Sequence, residues 1–385
     1  MILIITSLLL SSGIILMGKN YTKSAFFVSV ILLSIVGYLF DPYLAQFNGV
    51  YTDLVRFFNE LKLTYNYNLN EVLTSSVEPF KSVYPGMLVN NLIMFVVAKT
   101  NNLHLLPFLS VLIFYSLLYV QLSSECKKYN LNKFKILLII WLVYALINIT
   151  DPMCNIRNPL TSLVGVILLY NNLVNDKTIT FTAIGYLIIF FIHPSSIIFP
   201  IINIIVKISS KLVRYILTVV IFIASLFSYQ ISSSLLGAVP GGNVLFSIIN
   251  KLNDYSGGQA DLISYGTTFQ KLILWLTAIL TLVVLYLFNQ ETNNKFSRFN
   301  NAVIFFVAIF VASSIFSVHI FFRFGFILSI LVLIMLPIVL RNNVDFTLKM
   351  PISYFSLYFL LGITIIANLG WYFGTYAYRS INLGG

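Results

Sequence analysis

Seven residues have side chains that could hold an anion or move a proton, and all seven lie in short apolar contexts. Asp53 and Arg56 stand three apart in YTDLVRFF, a spacing that shares one helical face. Glu78 precedes Pro79 in VEPF. Arg157 stands in NIRNPLTSLVG, His193 in FIHPSS, and His319 with Arg323 in VHIFFRFGF. Arginine forks grip phosphate oxygens in pairs and stay charged when water is removed. A histidine or a carboxylate can take a proton from a hydroxyl near neutral pH. This inventory suits transfer of a group away from a phosphate-bearing leaving group. Arg56, Arg157 and Arg323 would hold and neutralise the departing anion. His193 or Asp53 would accept the proton, with Glu78 and His319 as further polar contacts. Each residue also has a plain structural use. Arg157 and Arg323 can anchor at a lipid interface, His193 before Pro194 can end a helix, Asp53 with Arg56 can shape a loop, and Glu78 can favour a helix start.

The elements that must position these residues are set by composition. The chain has 385 residues, of which 59% are hydrophobic and only 9% charged, with mean hydropathy +0.92. A soluble domain carries about 25% charged residues, so these few cannot cover a water-exposed globule. An all-α, polytopic membrane bundle is expected, forming a single integral membrane domain over 1–385. Apolar runs of near-spanning length fall at 1–17, 24–40, 103–122, 136–150, 158–174, 179–193, 195–206, 212–233, 268–288, 300–318, 323–340 and 352–372. That makes about twelve spans. The runs 136–150 and 195–206 are short and read as broken helices or helices tucked into protein. The first run has no basic residue before it and no small-residue cleavage site, so it reads as a retained helix.

The net charge of +11 reads as orientation charge rather than as a nucleic-acid footprint. Basic turns around Lys19 and Lys23, Lys127 to Lys135, Lys177, Lys207 to Arg214, Lys295 and Arg298, and Arg341 and Lys349 belong in the cytoplasm. This sorting gives 14 Lys/Arg inside and 9 outside, against 4 Asp/Glu inside and 8 outside, with both chain ends outside. It holds only if GMLVNNLIMFVVA (86–98) does not cross. At about 1.5 Å per residue it reaches roughly 20 Å, short of a core about 30 Å thick. A re-entrant or interfacial helix is therefore expected within one outer segment, 41–102. A second outer loop runs over 234–267, with AVPGGN and YSGGQ as irregular, loop-forming stretches. Cys126 and Cys154 fall on opposite sides, which argues against a disulfide. The outer loops hold no paired carboxylates of the DxD kind and no His/Cys ligand cluster.

With this topology Arg56, Arg157, His193 and Arg323 meet at the outer mouth. The anion they suit is a lipid head group. A lipid-linked diphosphate sugar has the required parts: a tail for the bilayer, a diphosphate for arginines and a sugar for the outer cavity. DLVRFF (53–58), EPF (78–80), IRNPLTSLVGVILLY (156–170), FIHPSSIIFPI (191–201) and RFGFILSILVLIMLPIV (323–339) together resemble, in order and spacing over most of the chain, the EpsG family of Wzy-like polymerases. Asn158 follows Arg157 where that pattern has Gln or a similar amide, and Phe57 follows Arg56 where it has Tyr. The resemblance implies an exopolysaccharide, capsule or O-antigen polymerase in the bacterial cell membrane, with its active site extracytoplasmic. Such an enzyme joins oligosaccharide repeat units, with undecaprenyl-diphosphate oligosaccharide as donor and acceptor, and the resemblance implies that it uses no metal and no cofactor. The family also implies an architecture similar to multi-spanning, GT-C-like glycosyltransferases, and partnership with a Wzx-type flippase and a chain-length regulator. A lipid-linked glycan ligase, another polyprenyl-phosphate-dependent transferase, and a flippase or transporter remain the alternatives. The residues do not say which of Asp53, Glu78 and His193 is the base.

Overall fold

In lipid every backbone N–H and C=O must be satisfied within the chain, and a sequence of apolar runs does this by forming helices. The computed structural model describes residues 2–43, 46–47, 50–81, 84, 86–208, 268–341 and 351–374, with isolated helical positions between 212 and 249. The expected span 212–233 and the loop 234–267 lie, apart from those positions, outside the described residues. So do Lys211, Arg214, Lys349 and Arg379.

The described chain is helical apart from a two-stranded antiparallel ladder pairing Gln46–Phe47 with Val50–Tyr51. Helices α1 (Ile2–Met17) and α2 (Thr22–Leu39) form a hairpin. Then come α3 (Asp53–Thr64), α4 (Leu69–Leu73) and α5 (Leu88–Lys99), followed by α6 (Leu105–Lys128), α7 (Lys133–Leu146), α8 (Thr150–Cys154) and α9 (Arg157–Leu173). The remaining helices are α10 (Ile179–Ile192), α11 (Ile198–Ile205), α12 (Thr268–Glu291), α13 (Ser297–Phe316), α14 (Val318–Val339) and α15 (Ile352–Gly374).

Among the described residues, six helices are long and apolar enough to cross a membrane: Lys19–Leu39, α6, α12, Ser297–Ile315, α14 and Ile352–Trp371. The sequence suggested about twelve. One expected span, 212–233, lies outside the described residues, and the other runs form helices of fewer than 18 residues. Helices α7 and α10 have 14 residues each, or about 21 Å, and α11 has only eight. Their hydropathy matches a span, but their length does not. Helix α14 is the axle of the bundle. It packs against α6, α7, α9, α12 and α13, and its residues from Ile327 to Leu340 are buried without a break. A helix apolar on all sides belongs at the centre of a bundle.

Lipid tails are as apolar as leucine, so close packing and polar contacts hold such helices together. Ser7 Oγ and Tyr144 Oη are 2.5 Å apart, and Trp141 Nε1 donates to Ser12 Oγ at 3.2 Å, pinning α7 to α1. Gly165 lets α9 receive the Phe199 ring, which occupies the place a side chain there would need.

Hydrogen bonds across turns fix two faces. Lys19 Nζ reaches Asn130 Oδ1 (3.0 Å), Lys133 Nζ reaches the Leu16 carbonyl (3.3 Å), and Lys128 Nζ reaches Asn175 Oδ1 (2.7 Å). Lys207 Nζ reaches Asn172 Oδ1 at 2.5 Å, and Arg341 Nε reaches Glu291 Oε2 at 3.2 Å. Tyr170, near the end of α9, packs on Phe299 at the start of α13, with ring centroids 5.4 Å apart. The described residues of the basic turns expected to share a side therefore meet on one face, the Lys128 face. Helices α3, α4, α5 and α8 and the starts of α6, α9, α12 and α14 gather at the other, the Arg157 face. Cys126 and Cys154 are buried free thiols at the two opposite ends.

Candidate active site

Asp53 opens α3 in the first turn, where a negative charge suits the helix dipole. Leu54, Phe57, Phe58 and Leu61 recur at helical spacing and are buried, so α3 lies with its apolar side on the bundle. Phe58 meets the His104 ring edge-on at 5.4 Å. The other side carries Asp53, Arg56 and Glu60. Arg56 NH2 is 3.6 Å from Asp53 Oδ2, and its Nε is 3.6 Å from Glu60 Oε1. These residues, with Thr52, Val55, Asn59 and Leu63, line a cavity of about 350 Å³.

Helix α4 starts with a capping box in which Asn68 N–H donates to Glu71 Oε2 at 2.7 Å. After it the chain turns back through Glu78, Phe80 and Tyr84 into α5. Asn91 Nδ2 donates to the Tyr84 carbonyl (3.2 Å) and to the Val72 carbonyl (3.4 Å), tying α5 to that turn. Lys99 Nζ donates to the Tyr65 carbonyl at 2.7 Å. Helix α5 has 12 residues, about 18 Å. It buries Asn90, Asn91, Met94 and Val97 and exposes Leu88, Leu92 and Val96.

This turn brings Tyr84 to Arg157. The Arg157 guanidinium carbon lies 4.6 Å from the Tyr84 ring centroid and 5.2 Å from that of Phe57, and NH1 lies 3.5 Å from Met87 Sδ. Tyr84 Oη donates to Glu60 Oε2 in a short hydrogen bond. Arg56 also stacks on Phe57, at 5.3 Å. The structure thus joins Asp53, Arg56 and Arg157 into one cluster through Phe57, Glu60 and Tyr84. Arg157 is only 7% exposed and is the first residue of α9, where the helix dipole opposes a cation and favours an anion. Ile156, just before it, has φ 32°. A β-branched residue adopts that region only under strain.

Burial is the main cause that raises the Glu60 carboxyl above its ordinary range, while the Tyr84 hydrogen bond and the charges of Arg56 and Arg157 pull it back down. Burial likewise pushes Tyr84 up, so its hydroxyl stays a donor. Beneath α3, Asp151 in α8 is pushed up to about 7 by burial. Asp151 itself is half-buried. Cys154 lies between Asp151 and Asp53, and burial pushes its thiol up to about 12.

The other sequence candidates stand on separate elements of the same face. His193 is buried at the apex between α10 and α11, and its Nδ1 accepts from the Ser195 N–H at 3.2 Å with Ser195 Oγ at 2.7 Å. An Nδ1 that accepts a backbone N–H keeps the ring proton on Nε2. The lone pair a base would use is thereby committed, and Nε2–H is presented as a donor. His319 lies in the first turn of α14. Arg323 lies three residues, or about 4.5 Å, before Phe326, whose ring meets Phe114 of α6 at 5.9 Å. Glu78 is exposed in the turn before Tyr84.

The chain matches no family model, no curated protein and no solved structure. Its reading therefore rests on the site itself. Glu60, Tyr84 and Asp151 are missing from the sequence candidates. Glu60 could have been found, because it stands four residues after Arg56 on the face that Asp53 shares. Nothing local marks Tyr84, which reaches Arg157 only through the turn into α5. Among the described residues no group of three or more His, Cys, Asp or Glu could hold a metal ion.

Proposed function

We propose that this protein is a membrane glycosyltransferase that polymerises oligosaccharide repeat units carried on undecaprenyl diphosphate. The observation that carries the reading is the Arg157 cluster. A buried arginine at a helix N-terminus is held by two aromatic rings and adjoins a second arginine and a cavity lined by carboxylates. All of this lies at one face of an apolar bundle. The positive-inside rule makes that face extracytoplasmic, in a cell membrane crossed by about twelve spans, with 41–102 forming an outer wall in which α5 is re-entrant or interfacial. The ordered motifs that resemble the EpsG family support the same assignment.

In the step we propose, the bond between the anomeric carbon of the donor chain and its diphosphate oxygen breaks, and the electron pair leaves with the diphosphate. A hydroxyl oxygen of the incoming unit bonds to that carbon, and its proton passes to a carboxylate. Arg157, Arg56 and Arg323 take up the charge on the leaving diphosphate, and His193 donates Nε2–H to a phosphate oxygen. Asp53, at the cavity wall beside Arg56, accepts the proton. Glu60 holds Tyr84, and Tyr84 holds Arg157. Glu78 and His319 contact the sugar. No metal or cofactor enters the proposed step. In the cell a flippase would deliver the substrate and a chain-length regulator would limit the product.

Reconstitution of the full chain with lipid-linked repeat units and no other protein tests this. A ladder of lengthening lipid-linked glycans is expected. Absence of a ladder, where a known polymerase makes one from the same substrate, would overturn the reading. Transfer of a single sugar from a polyprenyl-phosphate donor would replace it with the alternative transferase.

A further inference from the structure

The Lys128 face holds a second cavity, of about 390 Å³, that the proposed chemistry does not use. Helices α6, α12 and α14 end there and α13 begins there. Lys128, Lys295 and Arg341 line it with Glu291, and Val174 and Ile338 supply apolar wall. Its lining charge is therefore positive.

Two of these cations are held in place rather than left to reach outward. Lys128 Nζ is 3.9 Å from Glu125 Oε2, and Arg341 Nε is 3.2 Å from Glu291 Oε2. Glu125 is 2% exposed. It also accepts from Tyr170 Oη (2.9 Å), Gln121 Nε2 (3.2 Å) and Asn175 Nδ2 (3.3 Å). An ionisable side chain enclosed near a span end is costly unless it is paired and hydrogen-bonded. Here a whole set of donors goes into holding one acid beside one lysine at a cavity rim. The start of α13 adds the positive end of its dipole.

We propose that this cavity binds the phosphate of an anionic phospholipid from the leaflet on that side. The cations and helix start supply a phosphate site. The apolar wall at the ends of spanning helices supplies a path for acyl chains, which a soluble anion would not need. Basic pockets between spanning helices on the cytoplasmic side are suited to such head groups. The proposal is independent of the polymerase reading. It uses only the bundle and its sorting of charge.

The test is thermal unfolding of the purified full chain in neutral detergent with added phosphatidylglycerol, phosphatidylcholine or inorganic phosphate. Phosphatidylglycerol should raise the midpoint by several degrees, and the other two should not. Lys295→Gln, at an exposed side chain whose ammonium rests over the Phe296 ring at 5.4 Å, should weaken the lipid response about tenfold in concentration. Lys23→Gln, an exposed lysine of the same face outside the cavity, should leave it intact. An equal response in wild type and Lys295→Gln would overturn the proposal, as would equal weakening by Lys23→Gln. A matching shift with inorganic phosphate would reassign the site to a soluble anion. Should Lys295→Gln fold poorly, native mass spectrometry of the wild type decides: retained phosphatidylglycerol supports the site, and its absence rejects it.

Discussion

The two faces of the bundle use the same residue types in different ways. At the Lys128 face, cations are stitched across turns by direct bonds, such as Lys128 to Asn175 at 2.7 Å and Lys207 to Asn172 at 2.5 Å. At the Arg157 face, Arg157 rests on the rings of Phe57 and Tyr84 and on the Met87 thioether. Arg56 stands 3.6 Å from each of two carboxylates. Stitched charge closes turns. A guanidinium packed on ring faces is fixed in orientation by them. The contrast sets turn-closing charge at the Lys128 face, where Lys295 over the Phe296 ring lines the second cavity, against the ring-held Arg157.

The largest expected effect that probes this contrast is at Arg157. Arg157→Ala should lower the rate of ladder formation by about 10²–10³-fold with little change in thermal midpoint. Arg157→Lys should recover only part of the rate, because an ammonium cannot fork. Full activity in Arg157→Ala would break the contrast outright. Next comes Gly165→Ala, whose new methyl meets the Phe199 ring. Overpacking of this kind costs about 1–3 kcal/mol. Because Phe199 follows His193 on the same hairpin, calorimetry should show a lower midpoint and the ladder assay a lower rate. A change in neither would detach the hairpin from the site.

Tyr84→Phe sharpens the contrast further. It keeps the ring under Arg157 and removes the donor to Glu60, so about a tenfold loss of rate is expected, equivalent to about 1.4 kcal/mol. Tyr84→Ala should cost more, since both the ring and the donor are lost. Equal effects would mean that the ring contributes nothing. The smallest effect is on pH dependence. The folded-state pKa of Asp151 is raised to about 7, so between its unfolded value and about 7 the folded state binds more protons. Stability should therefore fall as pH rises through that window and level off above it. Asp151→Asn should flatten the trend and gain a few degrees at pH 8. A wild-type midpoint flat from pH 5 to 8 would show that the carboxyl is not buried as described.

The long helices and the sorting of charge were legible because a bilayer demands apolar runs and because basic turns share a side. The short reach of α5 was legible from its length alone. The helix lengths were less legible, because α7 and α10 have the hydropathy of a span over only 14 residues. Hydropathy does not register where neighbouring helices take over. Within the site, the pairing of Asp53 with Arg56 followed from helical spacing, and the same spacing pointed to Glu60. The meeting of Arg157 with Tyr84 and Met87 depends on how the chain turns back after α4, which no local pattern encodes. Pro194 after His193 signalled a helix end. The hydrogen bond from Ser195 then moves His193 from proton acceptor towards donor, leaving Asp53 as the proposed base.

The most direct measurement compares ladder formation in proteoliposomes containing wild type, Arg157→Ala or Lys23→Gln, each supplied only with undecaprenyl-diphosphate repeat units. The account predicts a full ladder for wild type and Lys23→Gln and one slowed about 10²–10³-fold for folded Arg157→Ala. A ladder at the wild-type rate from Arg157→Ala, or none from folded wild type with a competent substrate, would contradict it.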